Sequence, residues 1–143
     1  MCYACQVLPW TRNMRETLPL LRKAFAITRE TGDITYSGFS SCTLVTSMLF
    51  SGDALDLIDA EGSQRLQLME AARFGLIVDI IQAQLRLVAS LQGRTHRFGF
   101  FDDAGFDEQV FEAHLQANRS LDIAACWYWI RKAQARFMAG RLR

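Results

Sequence analysis

The chain has 143 residues, half of them hydrophobic and 22% charged, the proportions of one soluble globular domain able to bury a core without metal or disulfide staples. Sixteen basic side chains against fifteen acidic ones leave a net charge of +1, which gives no basic footprint for nucleic acid. Two prolines and nine glycines are too few for a disordered or all-β chain.

The opening stretch from Met1 to Trp10 has no charged leader before an apolar run and does not read as a signal peptide. No segment has the apolar length of a membrane span: Leu76 to Leu91 comes nearest, and Asp79, Gln82, Gln84 and Arg86 interrupt it. A cytoplasmic location with reduced cysteines is the expectation. Apolar patterning starts at once and continues to Phe137 and Met138. The chain therefore reads as a single helical-repeat segment over 1–143 belonging to a larger multidomain protein.

In chain order, residues 1–8 read as the last turns of a helix, broken at Pro9-Trp10. Thr11 is the expected cap of a helix over roughly 12–31, where Met14, Leu18, Leu21, Phe25 and Thr28 recur at steps of four and three. Pro19 should kink that helix or mark its true first turn. Gly32-Asp33 then supplies a left-handed stop and a cap for a helix over roughly 33–51. Tyr36, Phe39, Val45 and Phe50 alternate there with small residues (Gly38, Ser40, Ser41, Ser47) that permit close approach of a neighbour.

Gly52-Asp53 repeats the punctuation. A pattern over 54–92 follows, too long for one helix of a small domain, with possible breaks at Ala60–Ser63 or Phe74-Gly75. Residues 94–106 form a loop rich in phenylalanine: Phe98, Phe100, Phe101 and Phe106. Asp107 caps a short helix to about residue 117, and a last helix runs over roughly 120–139. No strand pattern is present. The predicted class is all-α, with antiparallel helix pairs stacked as a tetratricopeptide-like α-solenoid at about forty residues per pair. Such pairs bury their apolar stripe only against neighbours.

Candidate chemistry is sparse. Cys2-x-x-Cys5 is a single pair without the second pair a zinc site needs, and Cys42 and Cys126 stand alone on helix faces. Buried helical thiols are the expected reading, so no metal is predicted. His96 and His114 read as isolated. The spacing of Asp102, Asp103, Asp107 and Glu108 does not fit a calcium loop; loop solvation and helix capping account for these acids. The run Trp127-Tyr128-Trp129 suggests base stacking, but three consecutive aromatics on a helix point three ways. Arg131, Lys132, Arg136, Arg141 and Arg143 read as a solvated face near a helix C-terminus. No nucleotide-binding, nucleophile-elbow or metalloprotease motif occurs, so neither catalytic residues nor cofactors are predicted.

The run from Leu8 to Phe25, Glu30–Asp33 with Tyr36, Gln84–Leu87, Leu91–Thr95, Phe100–Glu108, Phe111-Glu112 and Ala124–Phe137 together resemble the helical region that follows the ATPase module in large bacterial multidomain signalling kinases. Those proteins join a serine/threonine kinase-like domain, an AAA/STAND-type ATPase, this tetratricopeptide-like region, a GAF sensor and a histidine kinase. The resemblance spans nearly the whole chain, and its motifs are structural. It implies a regulatory or scaffolding segment that works through protein partners or flanking domains, with kinase and ATPase motifs elsewhere in the polypeptide. One departure stands out: the family continues from a Phe-x-x-Gly-Asp-Tyr motif into another helix, whereas Arg141 follows Gly140 here, which implies a fragment.

The residues expected to meet a partner are Phe98, Phe100, Phe101, Phe106, Trp127 and Trp129. Two other readings stay open. Phe39, Cys42, Trp127 and Trp129 can be imagined lining an apolar interhelical pocket of a small-molecule sensor, and an exposed, acidified cysteine would indicate a thiol enzyme.

Overall fold

A computed structural model describes Val7, Thr11 and residues 13–140. Cys2 and Cys5, the expected break at Pro9-Trp10 and the end of the chain after Gly140 lie outside the described residues. Among the described residues the structure is all-helical: α1 Thr17–Glu30, α2 Ile34–Ser51, α3 Leu55–Ala71, α4 Gly75–Leu91, α5 Glu108–Gln116 and α6 Asp122–Met138. Short 3-10 turns over Met14–Glu16 and Arg119–Leu121 lead into α1 and α6.

The helix starts follow side-chain chemistry. Asn13, rather than Thr11, caps the first turn by accepting from the Arg15 N–H at 3.0 Å, and the Thr11 hydroxyl instead donates to the Val7 carbonyl. Pro19 is the third residue of α1. Its missing N–H falls among those that have no intrahelical partner in a first turn. Asp33 caps α2 through the Tyr36 N–H, and Asp107 caps α5 through the Val110 N–H, both at 3.0 Å. Asp53 does not repeat this role: Ala54 occupies the cap position of α3 without a side-chain bond, and the Asp53 carboxylate lies 3.8 Å from the Arg15 guanidinium.

The stops of α1 to α4 share one geometry. At Gly32 the left-handed residue donates to the Arg29 carbonyl and the next residue, Asp33, to that of Thr28, which satisfies two of the helix's last acceptors. The long pattern over 54–92 is split in the same way at Arg73, whose φ is +54°, with Arg73 N–H donating to Glu70 and Phe74 N–H to Met69. Ala60–Ser63 is uninterrupted helix. Gly62 serves close packing there: a β-carbon at that position would stand 2.7 Å from Cδ2 of Leu85. Gly38 plays the equivalent part in α2, against Ile77 and Phe74.

Short connections turn α2 back on α1, α4 back on α3 and α6 back on α5. α4 lies at the centre, touching α2, α3 and α6, and buries Ile77, Ile80, Ile81, Leu85, Leu87 and Val88. One apolar cluster centres on α4, α5, α6 and the loop before α5 and also takes in Phe25 of α1, Cys42 of α2 and Met69 of α3. A second joins α1, α2 and α3 around Leu21, Leu44, Val45 and Ile58, with Val88 of α4 at its edge. Each fully buried aliphatic side chain of this kind contributes about 1.5–3 kcal/mol, so α4 holds the two halves together. None of the described helices is long and apolar enough to cross a membrane.

Candidate functional site

The aromatic loop divides into core and surface. Phe101 and Phe106 are buried at 0% and 8% exposure and pack in the cluster with Phe111 and Tyr128. Phe100 is half-buried beneath the Arg136 guanidinium, 3.5 Å from its ring centroid, and Phe98 is exposed. Gly99, at φ +86°, lies so close to α6 that a β-carbon would meet Ala139 at 2.7 Å.

The loop's acids hold it in place. Asp102 accepts from the Glu108 N–H at 2.8 Å, and Asp103 accepts from the Gly105 N–H at 2.7 Å and from Arg86. Burial pushes the Asp103 carboxyl up, but the donors Gly105, Arg86 and Phe106 outweigh it and leave its pKa below the ordinary value. Glu108 is not a solvating residue: it is buried and accepts from the Phe101 N–H at 2.9 Å.

On α6 the three consecutive aromatics do point three ways. Tyr128 is fully buried, Trp127 half-buried and Trp129 exposed. The Tyr128 hydroxyl donates to Glu112 at 2.8 Å; burial, then this hydrogen bond to a carboxylate, raise its pKa beyond the usual phenol range. Lys132 pairs with Glu112 and, at 3.5 Å, with Glu108. Burial raises the Glu108 pKa, and the Lys132 charge only partly opposes it.

The basic residues of α6 are therefore not a solvated face. Lys132 has 15% of its side chain exposed, Arg136 stacks on Phe100, and Arg131 is 1% exposed. Arg131 belongs to the same buried stripe as Ala124, Tyr128 and Ala135, spaced by four, three and four, and this spacing is the signal a composition-based reading passes over.

Arg131 donates to Thr46 of α2 and to the Gln134 side-chain oxygen, each at 2.8 Å, while its Nε has no partner. The Thr46 hydroxyl also accepts from the buried Gln84 amide of α4 at 2.7 Å. Arg131 forms no ion pair with any carboxylate among the described residues. Its guanidinium lies 5.1 Å from the Trp127 ring centroid and 5.9 Å from that of Phe50. Burial lowers its pKa to about 10. The Cys42 thiol group of α2 opposes that shift electrostatically, so the guanidinium is withdrawn from water with hydrogen bonds and a thiol as its electrostatic partner but no carboxylate, an expensive arrangement.

His114 is not isolated either: its Nε2 is 3.1 Å from a carboxylate oxygen of Asp79, in an open cleft shared with Gln82, Phe106 and Val110. Burial raises the Asp79 pKa, with the histidine opposing the shift. No serine, threonine or cysteine lines this cleft, so the pair stands without the hydroxyl or thiol nucleophile of an acyl-transfer triad.

Cys42 is buried, its thiol donating to the Phe39 carbonyl at 3.4 Å, and Cys126 is exposed. A cleft of about 220 Å³ opens beside Phe25, Leu68 and Met69, and neither it nor the clefts beside His114 and Glu61 are lined by Phe39, Cys42, Trp127 or Trp129. Among the described residues no group of three or more His, Cys, Asp and Glu side chains could hold a metal ion. No family model matches the chain, and neither a curated protein nor a solved structure matches it.

Proposed function

We propose that this chain is a non-catalytic helical-repeat segment that works by protein–protein or interdomain contact, as a piece of a tetratricopeptide-like solenoid. One observation carries the reading: the outermost long helices keep apolar side chains in water. Leu20 and Ile27 of α1 are 41% and 49% exposed, and Ile123, Ile130 and Phe137 of α6 are 54%, 44% and 69% exposed. Helical hairpins that follow one another and leave greasy outer faces are built to be covered. The resemblance of the loop and α6 motifs to multidomain signalling kinases supplies the setting: a cytoplasmic regulatory region beside ATPase and kinase modules that lie outside this segment.

The small-molecule sensor is the weaker reading. Phe39, Cys42, Trp127 and Trp129, the residues it would use, line none of the clefts beside Phe25, His114 and Glu61.

Incubating the purified chain with ATP tests the non-catalytic reading. Neither hydrolysis nor phosphotransfer above the buffer background is expected. Turnover that copurifies with the chain and disappears on substitution of a described side chain would overturn it.

A further inference from the structure

Of the clefts beside Phe25, Glu61 and His114, the last is the largest, at about 580 Å³. That volume lies within the roughly 300–1,000 Å³ of small-molecule sites. The cleft opens where α4, α5 and the loop before α5 meet. Val110, Phe106 and Phe111 give it apolar surface, with the two phenylalanine ring centroids 5.1 Å apart. Asp79, Gln82, Asp107 and His114 give it polar groups, and no lysine or arginine lines it.

Asp79 is the unusual member. It is 7% exposed, yet a single donor, His114, reaches it, at Oδ2. No hydrogen bond from the described residues reaches Oδ1. A carboxylate so far withdrawn from water ordinarily gathers several donors, because both oxygens lose their hydration. Burial accordingly raises its pKa against the pull of His114. The other carboxylate of the cleft is already engaged, since Asp107 caps α5 through the Val110 N–H.

These features specify a ligand. A buried, half-satisfied carboxylate beside aromatic rings favours a cationic donor. A guanidinium fork is matched to both oxygens of a carboxylate, and His114 holds one of them, so a compact ammonium fits better. Its other N–H groups can meet the amide oxygen of Gln82, one turn along α4 from Asp79, and water. A lysine side chain alone would leave most of the volume unfilled, so the ligand carries an apolar body of its own.

We infer that this cleft binds a small organic ammonium ion, its nitrogen on Asp79 Oδ1 and its apolar body against Phe106, Val110 and Phe111. The site is separate from the outer faces of α1 and α6 on which the contact-based function rests, and it asks no chemistry of the chain beyond binding.

The test titrates the whole chain with phenethylammonium and with phenethyl alcohol, which carries a neutral hydroxyl on the same body, and follows amide chemical shifts. Phenethylammonium is expected to bind about tenfold tighter, with shifts centred on Asp79, Gln82 and Val110. Acetyl-lysine amide, an ammonium without the aromatic body, is expected to bind about tenfold weaker than phenethylammonium. Asp79→Asn should erase the preference for ammonium over alcohol while leaving the circular dichroism spectrum unchanged.

Equal affinity for the amine and the alcohol would overturn the inference, as would the lack of a saturable shift up to about 10 mM. Acetyl-lysine amide binding as tightly as phenethylammonium would make a partner's lysine the occupant and overturn the small molecule. A preference that survives Asp79→Asn would overturn the role of that carboxylate. Should Asp79→Asn fail to fold, the comparison of the two probes on the parent chain still decides.

Discussion

Lys132 and Arg131 are neighbours on α6, and both are drawn largely out of water. Lys132 faces the α5 side, where Glu108 and Glu112 receive it and Tyr128 donates to the same Glu112 oxygen. Arg131 faces α2, where it meets the Thr46 hydroxyl and the Phe50 ring, with the Gln134 amide and the Trp127 ring beside it on its own helix; its electrostatic partner is Cys42, and no carboxylate pairs with it. The first arrangement is internally complete and fastens α5 and the loop to α6. The second leaves the Arg131 Nε without a hydrogen-bond partner and the charge without a carboxylate. Two adjacent cations thus serve different ends: one closes α5 and its loop onto α6 through carboxylates, and the other joins α6 to α2 through a hydroxyl.

Removing the cation from the complete side should have the largest effect. Lys132→Met leaves Glu108 and Glu112 without their cation in a buried setting and is expected to cost about 3 kcal/mol, read from urea denaturation at unchanged m-value. A loss under about 1 kcal/mol would mean that the pair is effectively a surface interaction.

The same variant has a signed pH dependence. Burial raises the folded-state pKa of Glu108 above its ordinary value. A carboxyl so raised contributes stability below its unfolded pKa and loses that contribution as pH rises through the folded one. Without Lys132 the folded pKa climbs further. The gap between Lys132→Met and the parent is therefore expected to be widest near neutrality and to narrow as pH falls through the raised pKa. A gap independent of pH would place the cost in packing alone.

A smaller effect is expected from Tyr128→Phe, which keeps the ring in the core and deletes one hydrogen bond to a carboxylate. The loss should be about 1.5 kcal/mol, and it should couple to Lys132→Met in a double-mutant cycle because the two donors share one oxygen.

Much of this architecture was legible in the sequence, and the exceptions have physical causes. The three-to-four spacing of apolar residues specifies the helices, and Gly32-Asp33 and Asp107 mark corners because a left-handed stop and a short acceptor are the chemistry such corners require. The break expected at Phe74-Gly75 is present, but the residue that takes the left-handed conformation is Arg73, a non-glycine that the sequence pattern does not single out. Gly62 looked like a break, yet its purpose is contact with Leu85.

The site was harder to read. Phe101 and Phe106 stand among four similar phenylalanines, and only the turn between Asp103 and Phe106 decides which rings enter the core. A cluster of basic residues near a helix end resembles a solvated face. Its true placement follows from the buried stripe of Ala124, Tyr128, Arg131 and Ala135, whose period outweighs the polarity of one member. The pairing of His114 with Asp79 joins two helices distant in sequence and left no local signal.

The most direct measurement is the denaturation midpoint of Arg131→Met beside that of the parent. The account predicts a rise of about 1–3 kcal/mol in stability, because a similarly shaped apolar side chain replaces a buried charge that no carboxylate pairs with and Thr46 keeps its bond from Gln84. A fall comparable to that of Lys132→Met would contradict it, showing that Arg131 is already fully accommodated within the fold.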